Sequence, residues 1–264
     1  MSKEKVCEIQ RENKKAFGKF IVIMIMSTLI GAIVGMLTAK LPENSTEAIA
    51  RGIMAGLHLI TPYANLVIVS VGTIVVTVLF KISKQRFKTW NGEDEDEMER
   101  IDRLLSYAIY ITTMIMILAC FFFAAGMKVF QFVELREDAA KTIPVVCWFV
   151  SFILVLVFVT VSQRILVDFL KQINPEKKGS IYDIKFTKKW EESCDEAERL
   201  QIYKAGYKSY PVTSMTCLVL WIVCLMGSVI WDFGLMPVAM VTVVWTVLTT
   251  SYTWESMRVS KRNK

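Results

Sequence analysis

The sequence contains a single histidine, His58, and no Cys-x-x-Cys pair, which excludes a His-rich zinc or haem site. Neither Gly-x-x-x-x-Gly-Lys, Gly-x-Ser-x-Gly nor His-Glu-x-x-His occurs, so the common phosphate-cradling, nucleophile-elbow and zinc-protease motifs are absent. No catalytic residue, metal or cofactor is expected, and the chain reads as a non-enzyme. The six cysteines are scattered, and four of them (Cys120, Cys147, Cys217 and Cys224) fall in apolar runs, so no disulfide framework is implied. Cys217 and Cys224 are one helical heptad apart and suit small buried hydrophobes better than a metal pair.

Charge is the scarcest feature of six long stretches. Phe20–Ala39, Thr61–Phe80, Leu105–Met127, Ile143–Val161, Val212–Trp231 and Leu235–Trp254 contain no Asp, Glu, Lys or Arg in their interiors. Crossing the hydrocarbon core takes about 20 apolar residues at roughly 1.5 Å each, and each run meets that length. With 54% hydrophobic residues and a mean hydropathy of +0.43, the chain is too apolar for an ordinary soluble domain. We expect an all-α, polytopic transmembrane bundle of six spans, forming one membrane domain over 1–264. A cleaved signal peptide would have a shorter apolar core, and Leu37-Thr38-Ala39-Lys40 is a poor cleavage site, so the first run is expected to stay as a span.

The cations set the orientation. If both termini face the cytoplasm, the inner segments 1–19, 81–104, 162–211 and 255–264 hold 26 of the 31 Lys and Arg, and the outer loops hold five. This strong positive-inside bias implies an N-in, C-in plasma-membrane protein. It also accounts for the net charge of +6 without a nucleic-acid partner. The bilayer itself is a partner, because the basic ends can meet anionic headgroups.

Ser27, Gly31, Gly35 and Ala39 form a small-residue stripe in the first run, suited to helix packing within the bundle or to a homo-oligomer. Asn44 with Glu47 makes a capping box, from which a helix would run into the second span past Pro62. The tryptophans at or near the run ends suit interfacial positions. Thr242, Thr246, Thr249, Thr250, Ser251 and Thr253 make the last run polar at its inner half, for interhelical hydrogen bonds or for a cavity open to the cytoplasm.

The two larger inner loops resemble each other. Gln85-Arg86 follows the second run and Gln163-Arg164 the fourth, and Trp90 and Trp190 come next. Asp96-Glu97-Met98-Glu99-Arg100 then matches Asp195-Glu196-Ala197-Glu198-Arg199 at four of five positions. We read a tandem two-span repeat. The acidic residues suit helix N-termini and can pair with Arg100 and Arg199 four residues on, or they can form a patch that binds a cation or a basic partner.

In segment 162–211 a helix should continue to Ile173 and stop at Asn174-Pro175. Ile181–Phe186 alternates like a short extended piece, and an amphipathic juxtamembrane helix is expected over about Lys188–Ser209. Its face of Arg199, Tyr203, Tyr207 and Tyr210 would lie on the headgroups or dock a cytoplasmic protein.

Asn174-Pro175-Glu176-Lys177-Lys178-Gly179-Ser180, Tyr182-Asp183, Lys189-Trp190 and Ser193-Cys194-Asp195-Glu196-Ala197-Glu198 resemble a bacterial six-span membrane-protein family. That family, found mainly in Firmicutes, is catalogued only as a domain of unknown function and is often encoded beside a helix-turn-helix regulator. The resemblance covers nearly the whole chain. It implies a plasma-membrane location and a regulatory or self-protection role, and it supplies no catalytic residue.

Two functions follow as expectations. The first is a sensor, regulatory or immunity-type protein that works through a cytoplasmic regulator or ATPase. Its docking residues would be Asp96, Glu97, Glu99, Arg100, Trp190, Asp195, Glu196, Glu198, Arg199, Tyr203, Tyr207 and Tyr210. The second is a small transporter or transporter subunit, since tandem repeats also build transporter folds. The absence of charge within the runs weighs against proton coupling.

Overall fold

The structure is a computed structural model that describes residues 43–130, 139–230 and 234–262, with isolated helical positions between 17 and 29. Most of the run Phe20–Ala39, including its stripe of Ser27, Gly31, Gly35 and Ala39, lies outside the described residues.

Among the described residues six helices can be bounded, in order: α1 Glu43–Thr89, α2 Glu95–Val129, α3 Ala139–Ile173, α4 Phe186–Glu192, α5 Glu196–Ile230 and α6 Met236–Arg262. All but the short α4 contain a segment long and apolar enough to cross a membrane. These five segments correspond to the second to sixth charge-free runs. The chain divides into two compact units, Arg51–Pro211 and Met1–Ala50 with Val212–Lys264.

In the first unit the helices outlast their apolar runs. The 35 residues of α2 measure roughly 50 Å, against a hydrocarbon core of about 30 Å. Along the apolar runs Ile74, Phe121 and Val157 are more than half exposed. Such faces would aggregate in water and are ordinary against lipid. The larger of two buried clusters lies where the charged extensions begin. There Val76 of α1, Ile101, Leu105 and Ala108 of α2, and Leu166, Phe169 and Ile173 of α3 form one buried cluster. Phe169 meets Phe80 and Phe87 edge-on at 5.4 and 5.6 Å. A second cluster of Ile115, Ala119, Val155 and Val159 continues along the apolar runs, with Ile68 and Val69 of α1 packed on it.

Local chemistry explains the element ends. Gly92, at φ 87°, turns the chain after α1. Asn91 Oδ1 accepts from the backbone N–H groups of Glu93 and Asp94, and Asp94 then caps α2 by accepting from Glu97 N–H at 3.1 Å. At the opposite end of α2, Trp148 of α3 lies so close to Gly126 that a Cβ there would stand 2.0 Å from the indole nitrogen. The indole N–H donates to Phe122 O at 3.3 Å, and Phe123 stacks on the ring at 4.9 Å.

Three local expectations are corrected. Ile181–Phe186 is two consecutive turns rather than an extended piece, closed by Asp183 N–H to Ser180 O and Phe186 N–H to Asp183 O. The helix expected over Lys188–Ser209 is broken at Ser193-Cys194-Asp195, because Asp195 opens a new helix by accepting from Glu198 N–H at 2.7 Å. That new helix, α5, runs unbroken from Glu196 to Ile230, so the tyrosine-bearing segment and the fifth apolar run are one helix. Finally, Arg100 and Arg199 do not pair with Asp96 and Asp195. Arg100 reaches Glu97 at 3.8 Å, and Arg199 donates to the carbonyls of Glu191 and Glu192 at 3.0 and 2.7 Å.

Candidate functional site

The segment Asn174–Asp195 returns to the start of α5 and is fastened there by a buried lysine. Asn174-Pro175 ends α3, and Lys177 N–H bonds back to Asn174 O, which turns the lysine inward. Only 5% of the Lys177 side chain is exposed. Its ammonium forms an ion pair with Glu198 of α5, donates to Cys194 Sγ at 3.4 Å, and lies 5.9 Å from the centre of the Trp190 ring. Trp190 is held in place by α4, where its ring meets Phe186 at 5.5 Å. Ser193 adds a second fastening by accepting from Lys178 N–H at 3.0 Å.

Electrostatics favour a charged lysine and a neutral thiol. Burial works against the ammonium, but its hydrogen bonds to Glu198 and Cys194 and the Glu198 charge outweigh that, and Lys177 is held above the ordinary lysine value. Burial pushes the Cys194 thiol up, and Lys177 offsets this only in part. Asp102 of α2 is within electrostatic reach of Glu198 and Lys177, and its buried Oδ1 has no hydrogen-bond partner among the described residues. The joint links the returning segment to the start of α5, with this carboxylate of α2 within reach of its charges.

The residues expected to dock a partner fall into two groups. Around the joint lie Trp190, Asp195, Glu198, Arg199 and Tyr203, the last donating its hydroxyl to Glu191 at 2.5 Å. Glu196 and Tyr207 are exposed nearby along α5, and Tyr210 is half-buried one turn further. The second group stands on α2. Glu97 accepts from Arg86 at 2.9 and 3.1 Å, Glu99 pairs with Arg103 at 2.8 Å, and Asp96 is exposed. The residue of α2 that comes near the joint is Asp102, outside the matched pentapeptides. The caps also stand in different registers: Asp94 caps α2 two residues before the position matched to Asp195.

A family model described as "Protein of unknown function (DUF3169)" matches residues 14–254. The chain belongs to this family. No curated protein and no solved structure matches it. The match covers the whole lysine joint and nearly all of the five described apolar helices.

Sequence reasoning missed Lys177, Cys194 and Asp102, and it missed a pair in α1. Thr61 and Asn65, one turn apart, are fully buried, and among the described residues neither the Thr61 hydroxyl nor either amide atom of Asn65 has a hydrogen-bond partner. They stand on the stripe of α1 that continues through Ile68 and Val76 into the two clusters. Asn65 is the lone amide side chain in the run Thr61–Phe80, and that was the available signal. For Lys177 no signal existed, because nothing local distinguishes it from Lys178.

Proposed function

We propose that this chain is a non-enzymatic regulatory or immunity-type protein of the plasma membrane. Its basic side faces the cytoplasm and engages a soluble regulator or ATPase. The observation that carries this reading is the Lys177 joint, which holds the exposed Glu196, Tyr203 and Tyr207 on a fixed helix beside a folded layer. Loose loops between spans would need no buried ammonium. The pair closest to a catalytic set, Cys194 with Lys177, has its thiol pushed up, the reverse of an activated nucleophile. Crosslinking in native membranes tests the reading, with Tyr207→Glu as a surface variant and Lys177→Met as a joint variant. A regulator or ATPase held by the parent chain and lost from both variants supports it. Equal recovery from all three, or recovery of the chain alone, overturns it.

One observation favours a second reading, a small transporter or transporter subunit. Unpaired polar atoms inside an apolar bundle cost several kcal/mol each in a dry setting and usually line a route for a polar solute. Thr61 and Asn65 carry such atoms. Solute flux into vesicles that is abolished by Asn65→Leu would favour transport over signalling. Lack of flux with any candidate solute would leave the regulatory reading standing.

A further inference from the structure

The turn between Lys177 and α4 carries two apolar side chains that no part of the described chain covers. Ile184 is 103% exposed and Tyr182 61% exposed, while their neighbours Ile181 and Phe186 turn inward. Gly179, at φ 118°, makes the reversal possible, and the Phe186 ring fills the space where a side chain would stand. Exposed apolar side chains are ordinary one by one, but an isoleucine and a tyrosine together at the tip of one turn are the pair that a membrane interface takes up, if the turn stands at its level.

Depth identifies the occupant. From Ile143 to Gln163 α3 carries no charge, and at about 1.5 Å per residue this stretch measures roughly 30 Å, the thickness of a hydrocarbon core. Arg164, the first charge after it, therefore stands at the headgroup level. The Arg164 guanidinium lies 5.9 Å from the centre of the Tyr182 ring. The turn thus climbs back along α3 from the deep Lys177 joint to the membrane boundary. Its charges suit an anionic surface. Lys185 is exposed and has no ion pair among the described residues, and Lys188 is one turn on, loosely paired with Glu192 at 3.8 Å. Asp183 is engaged by Lys189 and the Lys185 N–H, and Asp168 is shared between Arg164 at 3.6 Å and Lys171 at 3.7 Å, which leaves that trio one positive charge in excess.

We propose that Ser180–Lys185 is a lipid-contact site. Ile184 and Tyr182 enter the headgroup region of the bilayer that houses α3, and Arg164 and Lys185 meet anionic headgroups. An aromatic and an aliphatic tip flanked by cations is the side-chain mixture that interfacial segments use. This site lies above the joint and does not depend on the partner reading.

The test uses the full chain, one copy per nanodisc, carrying Ile184→Cys or, as an exposed control on α4, Glu192→Cys. Reaction with a charged maleimide is followed peptide by peptide by mass spectrometry, which separates the native cysteines. We expect Ile184→Cys to react more slowly than Glu192→Cys. Exchanging phosphatidylcholine for a phosphatidylcholine–phosphatidylglycerol mixture should slow it further, by roughly fivefold for each cation engaged. Adding Lys185→Gln should remove one such factor. Equal rates at the two positions, or slowing indifferent to the anionic lipid, would overturn the proposal. So would slowing that appears only with two copies per disc, which would make the occupant a second chain.

Discussion

The indole of Trp148 occupies the space that a side chain at position 126 would need, so Gly126 and Trp148 form a single packing unit between α2 and α3. Gly126→Ala should push the indole off Phe122 O and out of its stack with Phe123. Overpacking of this kind costs about 1–3 kcal/mol. Thermal unfolding in detergent should show the loss. Combining Gly126→Ala with Trp148→Leu should cost less than the two changes added together, and strict additivity would show that the contact is not tight.

The Lys177–Glu198 pair should respond asymmetrically. Glu198 is 39% exposed and can reach water if the lysine is removed, whereas Lys177 is buried and cannot. Glu198→Ala should therefore destabilise by about 3 kcal/mol, as for an uncompensated buried charge. Lys177→Met should cost only about 1 kcal/mol. Reversal of that order in denaturant unfolding would mean that the ammonium reaches solvent.

The returning segment should be held best at intermediate pH. Lys177 lies above its ordinary value, so its contribution is full below the unfolded lysine value and is lost as pH rises through the folded one. Asp183 is drawn down by Lys189 and by the Lys185 N–H, so its contribution is present above the unfolded aspartate value and is lost as pH falls through the folded one. Limited proteolysis within 178–189, normalised to a peptide substrate, should accelerate at both extremes. Alkaline protection would contradict the Lys177 geometry.

Asn65→Leu should raise thermal stability by about 1–3 kcal/mol, because both amide atoms of Asn65 are buried without partners among the described residues. A fall in melting temperature would show that the amide is engaged by an occupant such as water or a solute.

The apolar helices were legible because an uncharged run of about 20 residues matches a bilayer's thickness and is longer than a soluble core strings together. Five of the six expected runs lie in long apolar helices, and most of the other, Phe20–Ala39, lies outside the described residues. Their lengths were legible only in part. The continuation of the fourth run to Ile173 was expected from the Asn174-Pro175 stop and is found, whereas hydropathy alone ends the second run at Lys81, although that helix continues to Thr89 and packs the half-buried Phe87 beyond the charge. The break at Ser193-Cys194-Asp195 was written in the Asp195-x-x-Glu198 cap but was hidden by helical periodicity on both sides. The period-2 alternation of Ile181–Phe186 arose from a turn that sends Ile184 outward, which the pattern alone cannot distinguish from a strand. Lys177 was hidden because burial of one lysine among several is decided by a partner 21 residues away.

The continuity of α5 leaves one weak point in it. Its first turn is anchored by Glu198 at the lysine joint, and the same helix carries on into the fifth apolar run. Within it only Pro211 lacks a backbone donor, because its ring nitrogen cannot bond to the carbonyl of Tyr207. A helix missing one rung bends most easily there, one turn beyond the exposed Tyr207 side chain.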